Sequence, residues 1–134
     1  MTGPKLVSIL RQGGCLIASI HTALDDSEML RFKDDLMEQL GRHRAYGVII
    51  DVAALDVIDS FASMTLSRIG DMARLRGATT VIVGVQPEVA FAMAALGMRP
   101  GGLRTALDLE EGLEMLAGTQ DTSEHPGPAR AASA

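Results

Sequence analysis

The sequence is poor in aromatic residues: it has no tryptophan, and its three phenylalanines and single tyrosine amount to 3% of 134 residues. Platforms that stack the bases of single-stranded nucleic acid need aromatic side chains. The 12 basic and 17 acidic residues give a net charge of −5 at pH 7, and such a surface repels both phosphate backbones and anionic lipid. We therefore expect neither nucleic acid nor a membrane among its partners.

Cysteine is nearly absent as well. Cys15 is the single cysteine, which excludes a disulfide within the chain and is typical of a reducing compartment. The chain shows no cationic start followed by a long apolar run, as a signal peptide would. No apolar run approaches the roughly 18 residues of a membrane span. These features predict a cytoplasmic domain.

Signals of enzymatic chemistry are missing too. The three histidines, His21, His43 and His125, show none of the spacings of metal ligands. No glycine-rich phosphate-binding motif follows a predicted strand. Cys15 lies in an apolar run and is interpreted as a core residue rather than a reactive thiol. The sequence therefore predicts no metal, no cofactor and no catalytic residue.

What the chain does contain is an alternation of short β-rich runs with longer helical patterns. Residues 6–10 and 15–20 predict an antiparallel hairpin, because a glycine-containing turn separates two apolar, β-branched runs. Later runs at 46–52, 79–85 and 105–107 alternate with helices, which favours parallel strands. We predict a single α/β domain over 1–117, with a mixed sheet, a hairpin at its edge and about four helices. The polar residues 118–134 predict a disordered tail.

The helical patterns carry start and stop signals. Asp25 and Glu28 have the spacing of a capping box, and Gly41 is expected to end the first helix. The second helix is expected to begin near Asp59 and Ser60. Its predicted inner face is formed by Phe61, Met64, Ile69, Met72 and Leu75. Pro87 fits the first turn of the third helix, and Asp108 precedes the fourth.

The segment from Asp51 to Phe61 is the most informative one. A buried strand ends there, a short turn follows, and a hydroxyl residue opens a helix. Helix starts expose unpaired N–H groups and a partial positive charge, so they accommodate a phosphate. From the residues alone, the simpler interpretation is an ordinary N-cap at Asp59 or Ser60.

Three stretches resemble the STAS domain family, and within it the RsbS-type scaffold proteins of bacterial stressosomes. They are residues 48–61, residues 84–90 and residues 105–114, and the resemblance covers about 4–117. The Asp59-Ser60 pair matches the family's phosphorylated motif, although relatives often carry a hydroxyl residue where this chain has Ala53 and Ala54. The resemblance implies a non-catalytic protein whose Ser60 is phosphorylated by a serine/threonine switch kinase.

The same resemblance implies that the unmodified chain binds the kinase and releases it after phosphorylation. Sensor STAS paralogues would join it in a large homo- or hetero-oligomeric assembly. Asp56, Asp59, Phe61 and Met64 are candidate partner contacts, with core packing as the alternative for Phe61 and Met64. Three other readings stay open: a simpler antagonist that binds an anti-sigma kinase directly, a docking subunit of a transporter, and a small enzyme.

Overall fold

In residues 5–97 and 103–124, the parts of the chain that the computed structural model describes, five strands form one mixed sheet. The elements in chain order are β1 (Val7–Gln12), β2 (Cys15–Ile20), α1 (Asp26–His43), β3 (Gly47–Asp51), α2 (Ser60–Leu75), β4 (Thr79–Val83), α3 (Pro87–Ala95), β5 (Leu103–Ala106) and α4 (Leu109–Glu124). Strand β1 pairs antiparallel with β2, and all later neighbours pair in parallel. The predicted α/β architecture is confirmed.

The parallel register aligns the strands at both ends. Cys15 lies opposite Gly47, and Gly47 lies opposite Thr79. The carboxyl ends of β2 to β5 therefore share one edge of the sheet, and the amino ends of these strands share the other. Gly13 and Gly14 form the turn of the β1–β2 hairpin at the edge where the amino ends of β2 to β5 lie, and Gly13 has a φ of +60°.

Helices cover both faces of the sheet. Because side chains alternate along a strand, Val48 and Ile50 face the cluster that α1 and α2 close, whereas Ile49 faces the cluster closed by Leu116 of α4. These four side chains are fully buried. This burial on both faces explains the continuous apolar runs of the central strands.

Helix α1 starts as predicted and ends later than predicted. Asp25 is its N-cap, and Asp25 and Glu28 form the expected capping box. The hydrogen bond from the backbone of Glu28 is the main cause that lowers the pKa of Asp25. The prediction that Gly41 ends the helix is wrong, because the helix runs on to His43 and is capped by Arg44.

The predicted inner face of α2 is wrong in three positions. Met64, Met72 and Leu75 are exposed, at 47%, 37% and 86%. The buried positions are instead occupied by mostly smaller residues: Ser63, Thr65, Leu66, Ile69, Gly70 and Ala73. The helix carries two apolar stripes, and its small side chains allow the close approach to α1 and the sheet.

The end of the chain also differs from the prediction. Strand β5 begins two residues earlier than expected, and α4 extends to Glu124. Residues 118–124 are therefore helical, although the disordered tail was predicted to begin at 118. The rest of the predicted tail, 125–134, lies outside the described residues.

Two leucines on α2 provide a test of this packing. Leu66 is 1% exposed and Leu75 is 86% exposed. We expect Leu66→Ala to lower the free energy of unfolding by about 2–5 kcal/mol, because it leaves a cavity in the core. Leu75→Ala, the matched control, is expected to change it by less than about 0.5 kcal/mol. Urea unfolding followed by circular dichroism measures both, and equal losses would contradict the assignment of the inner face.

Candidate functional site

The turn between β3 and α2 is held by hydrogen bonds at its first residues. The Asp51 carboxylate accepts a hydrogen bond from the backbone of Ala53 at 2.9 Å. The N–H of Val52 donates to the carbonyl of Val83 at 3.0 Å, and the N–H of Leu55 donates to Val52 at 2.9 Å. The turn is therefore fixed to the end of β4 as well as to its own strand.

A second turn, between β4 and α3, packs against the first. The side-chain amide of Gln86 donates to the carbonyl of Ala53 at 2.7 Å. Gly84 has a φ of +77°, and a Cβ added there would lie 2.9 Å from the Cβ of Ala53. Larger side chains at these two positions would separate the turns, which gives a physical reason for the alanine at 53.

Sequence reasoning missed Gly84 and Gln86 as residues that position this turn. Both lie in a stretch that carried the family resemblance, but no local pattern shows that they contact Ala53. The contact depends on the parallel register that brings Asp51 opposite Val83. A glycine directly after a buried strand was the available signal.

The cap of α2 was correctly interpreted. Asp59 is the N-cap, with its carboxylate accepting a hydrogen bond from the N–H of Ala62 at 2.8 Å. Ser60 is the first residue of the helix and is exposed. Its hydroxyl has no hydrogen-bond partner within the described residues. A hydroxyl in this position is accessible and is not needed for the cap.

Ser27 offers an instructive comparison within the same chain. It is also exposed and lies in the first turn of α1, close to the capping Asp25. Its hydroxyl, however, donates to the Asp25 carboxylate at 2.9 Å. Of these two helix-start serines, Ser60 has the unengaged hydroxyl.

The surroundings of Ser60 are acidic and partly apolar. Residues 51–60 contain three aspartates and no lysine or arginine. Asp56 is exposed and has no hydrogen-bond partner in the described part of the chain, so it does not hold the turn. Val57 and Met64 are 61% and 47% exposed, while Phe61 is half-buried against the main core.

A cavity of about 160 Å³ lies beside this helix start, and its lining includes Leu24, Leu55, Val57, Ile58 and Asp59. The lining is mostly apolar and includes the charged residue Asp59. The structure thus brings together an exposed hydroxyl, two exposed carboxylates and exposed apolar side chains. This combination suits contact with another protein better than chemistry on a small substrate.

Cys15 begins β2 and His43 ends α1, so both lie at the end of the sheet opposite Ser60, whereas His21 directly follows β2. His21 is hydrogen-bonded to the Ser8 hydroxyl at 2.9 Å, and His43 to Arg11 at 3.3 Å. His125 lies outside the described residues. Burial raises the pKa of the Cys15 thiol, as expected for a core residue. In the described residues, no group of three or more His, Cys, Asp or Glu side chains could hold a metal ion.

None of the helices in residues 5–97 and 103–124 has the length and apolar character needed to cross a membrane.

Comparisons with known proteins identify the family of the chain. The family model of the STAS domain matches residues 7–112. The solved structure of a serine-to-glutamate variant of Moorella thermoacetica RsbS is 32% identical, with a TM-score of 0.78. It covers 87% of this chain, which in turn covers 99% of that chain.

Two further proteins are similar to this chain. A chain from a structure titled "Molecular architecture of the stressosome, a signal integration and transduction hub" is 28% identical, with a TM-score of 0.70, over 84% of this chain and 98% of that one. The RsbT co-antagonist protein RsbRA of Bacillus subtilis (strain 168) is 25% identical over 68% of this chain. The chain spans about a third of the length of this curated relative, 33%.

Proposed function

The chain belongs to the STAS domain family, and from this membership we propose that it is a non-catalytic scaffold for partner switching in bacterial stress signalling. In this proposal the chain binds a serine/threonine switch kinase at the end of the sheet where Ser60 lies. The kinase transfers the γ-phosphate of ATP to the Ser60 hydroxyl and is then released. The observation that carries the proposal is the exposed hydroxyl of Ser60, which has no hydrogen-bond partner in the described chain.

The position of Ser60 allows a phosphate to be added without unfolding the domain. Phosphorylation adds about −1.5 to −2 charges. At the N-terminus of α2, the helix dipole offsets this charge by roughly 0.3–1 kcal/mol. The Asp59 carboxylate, not the Ser60 hydroxyl, caps the helix. The modified domain therefore keeps its fold.

The same charge has a larger effect in an interface. A buried charge without a partner costs on the order of 3–5 kcal/mol, which corresponds to roughly two to three and a half decades in affinity. The nearby carboxylates of Asp56 and Asp59 add to the negative field. No lysine or arginine in residues 51–60 could pair with the phosphate. Phosphorylation then acts as a local electrostatic switch.

We assign partner contacts to the exposed side chains around Ser60. Val57 and Met64 supply apolar area, and Asp56 and Asp59 supply charge for a basic partner surface. Phe61 is half-buried, so it contributes to the contact mainly by supporting the helix start. The relatives support this type of partner: one is named an RsbT co-antagonist, and another carries a serine-to-glutamate change, which puts a carboxylate in place of a hydroxyl.

Assembly with STAS paralogues is the second part of the proposal. It is supported by the likeness to a chain of the stressosome structure. Helix α3 packs Val89 into the core and leaves the apolar side chain of Phe91 77% exposed. An open cleft of about 560 Å³ next to it is lined mostly by apolar residues, among them Met93 and Leu103, and also by Thr105 and Glu111. An exposed apolar patch of this kind marks a protein contact.

Phosphorylation by the switch kinase should modify one residue. Incubation with the kinase and ATP is expected to add a single phosphate at Ser60, because this hydroxyl is exposed and unengaged. Peptide mapping by mass spectrometry locates the phosphate. Ser60→Ala should abolish the modification, whereas Ser27→Ala, the matched control, should leave it unchanged. A phosphate on another residue, or none, would remove the mechanism.

A negative charge at position 60 should be enough to weaken binding of the kinase. We expect Ser60→Asp to reduce kinase affinity by at least tenfold while it changes the free energy of unfolding by less than about 1 kcal/mol. Titration calorimetry gives the affinity, and urea unfolding gives the stability. Ser27→Asp places the same charge at the start of α1 and should bind the kinase as the wild type does. A wild-type isotherm for Ser60→Asp would rule out the switch.

Mixing the chain with a sensor STAS paralogue should yield a large particle. Size-exclusion chromatography with light scattering measures its mass, and Phe91→Asp is expected to reduce assembly because it places a charge in the apolar patch. Glu88→Gln on the same helix serves as the control. A monomer in the presence of the paralogue would favour the simpler antagonist that binds its kinase directly.

A further inference from the structure

The end of the sheet opposite Ser60 contains a cleft that the proposed function does not use. It has a volume of about 420 Å³ and lies where α1 and α2 end and β3 and β4 begin. Gly41, Arg44, Tyr46, Arg76 and Gly77 are among its lining residues. We propose that this cleft binds a small phosphorylated ligand through the guanidinium groups of Arg44 and Arg76.

The first support is the backbone of Arg44. It adopts the left-handed conformation, with φ 49° and ψ 46°. Within the described residues, it is the one residue other than glycine with a positive φ. Glycine is the favoured residue where a helix ends in the left-handed conformation. Any other residue at that position has a strained backbone. An arginine at this position indicates that its side chain is needed.

The second support is Gly41. It lies inside helix α1, where glycine is less favourable than alanine. A Cβ added to Gly41 would lie 2.7 Å from the Nη2 atom of Arg76 and 3.5 Å from its Cζ atom. The missing side chain therefore leaves the space that the Arg76 guanidinium occupies. Positions 41 and 44 therefore both carry a residue that is locally unfavourable for the helix. Gly41 leaves room for Arg76, and the left-handed position 44 carries the second arginine.

A simpler role for these arginines would be to satisfy the carbonyl ends of the two helices. Backbone groups already do this: the N–H of Arg44 donates to Gly41, and the N–H of Ala45 donates to Leu40. At the end of α2, the carbonyl of Ala73 accepts from both Arg76 and Ala78. The guanidinium groups are therefore not required as helix caps.

Nor are the two arginines used in ion pairs. Arg42 pairs with Glu38 at 2.9 Å, and Arg74 lies 3.8 Å from Asp71. Within the described residues, the side chains of Arg44 and Arg76 have no acidic partner. The two full positive charges that line this open cleft outweigh the partial negative charge of about −0.5 at each of the two helix ends, so the cleft is suited to an anion.

The charge and shape of the site favour a phosphate. Guanidinium groups bind oxyanions in a planar, bidentate manner. Two of them match the charge of a phosphate monoester, about −1.5 to −2, better than that of a single carboxylate. The cleft volume lies within the range of small-ligand sites. The site is independent of Ser60, since it lies at the opposite edge of the sheet.

Inorganic phosphate is the probe for a first test. Titration of the ¹⁵N-labelled full-length chain, at constant ionic strength with chloride as the balancing anion, should produce saturable amide shifts at Gly41, Arg44 and Gly77. Arg76→Gln is expected to weaken binding about tenfold, as for the loss of a charged hydrogen bond. Arg42→Gln, at the same end of the molecule but outside the cleft lining, should bind as the wild type does.

Two further variants separate a binding role from a structural one. Arg44→Gly and Gly41→Ala should both weaken phosphate binding about tenfold, by removing one guanidinium and by displacing the other. Both should leave the thermal midpoint unchanged or raised, because glycine relieves the strain at 44 and alanine favours the helix at 41. A purely structural role for either residue predicts a lower midpoint instead.

The outcomes that overturn the proposal are distinct from those that test the kinase switch. Absence of saturable shifts, or wild-type binding by Arg44→Gly and Arg76→Gln, would remove the site. A short glutamate-rich peptide is titrated in parallel. If the peptide shifts these amides and phosphate does not, the cleft binds acidic protein segments and the small-ligand proposal fails. Ser60→Asp should leave phosphate binding at the cleft unchanged.

Discussion

The contact between the ends of β3 and β4 is the constraint on which the candidate site depends. The N–H of Val52 continues the pairing of the two strands by donating to Val83. Beyond this bond, the close approach of Gly84 to Ala53 sets the distance between the two turns. The Gln86 side chain then binds the carbonyl of Ala53. Because these contacts fix the chain before Asp59, they determine where α2 begins and where Ser60 is presented.

The parallel sheet separates two kinds of surface. Helix α2 begins at the edge formed by the carboxyl ends of the strands, where Ser60 lies among aspartates. It ends at the other edge, where Arg44 and Arg76 line a cleft. In a parallel α/β arrangement every connecting helix runs from one edge to the other, so the acidic turn and the basic cleft are held apart by the length of the strands and helices. The proposed ligand at one edge and the proposed kinase at the other would therefore bind without steric competition.

Much of the fold could be predicted from the sequence, because its signals are local. Continuous apolar runs marked β3 and β4, the glycine pair marked the hairpin, and Asp25 with Glu28 marked the start of α1. The inner face of α2 could not be predicted in this way. Its sequence has two apolar stripes, and the periodicity is the same whichever stripe faces the sheet. Packing against α1 and β4 decides between them, and that information lies in distant residues.

Gly41 and Gly84, one at each candidate site, also depend on distant residues that the sequence alone does not reveal. Gly41 has the appearance of a helix end, yet its function in the structure is to leave room for Arg76, which lies 35 positions later in the sequence. Gly84 likewise matters through its approach to Ala53. A sequence can show that a glycine is present, but the atom that would collide with a side chain is known only from the fold.

The position of Ser60 at the start of α2, by contrast, was predictable, because a cap and a helix start are encoded within a few residues. What the sequence did not reveal is that its hydroxyl is unengaged, whereas Ser27 donates to its capping aspartate. A phosphate on Ser27 would break that hydrogen bond and bring two negative groups together at the cap. A phosphate on Ser60 replaces no internal hydrogen bond in the described chain, so its free-energy cost falls mainly on a bound partner. The stability of the domain would thereby be separate from the strength of its contacts, which is what the proposed switch requires.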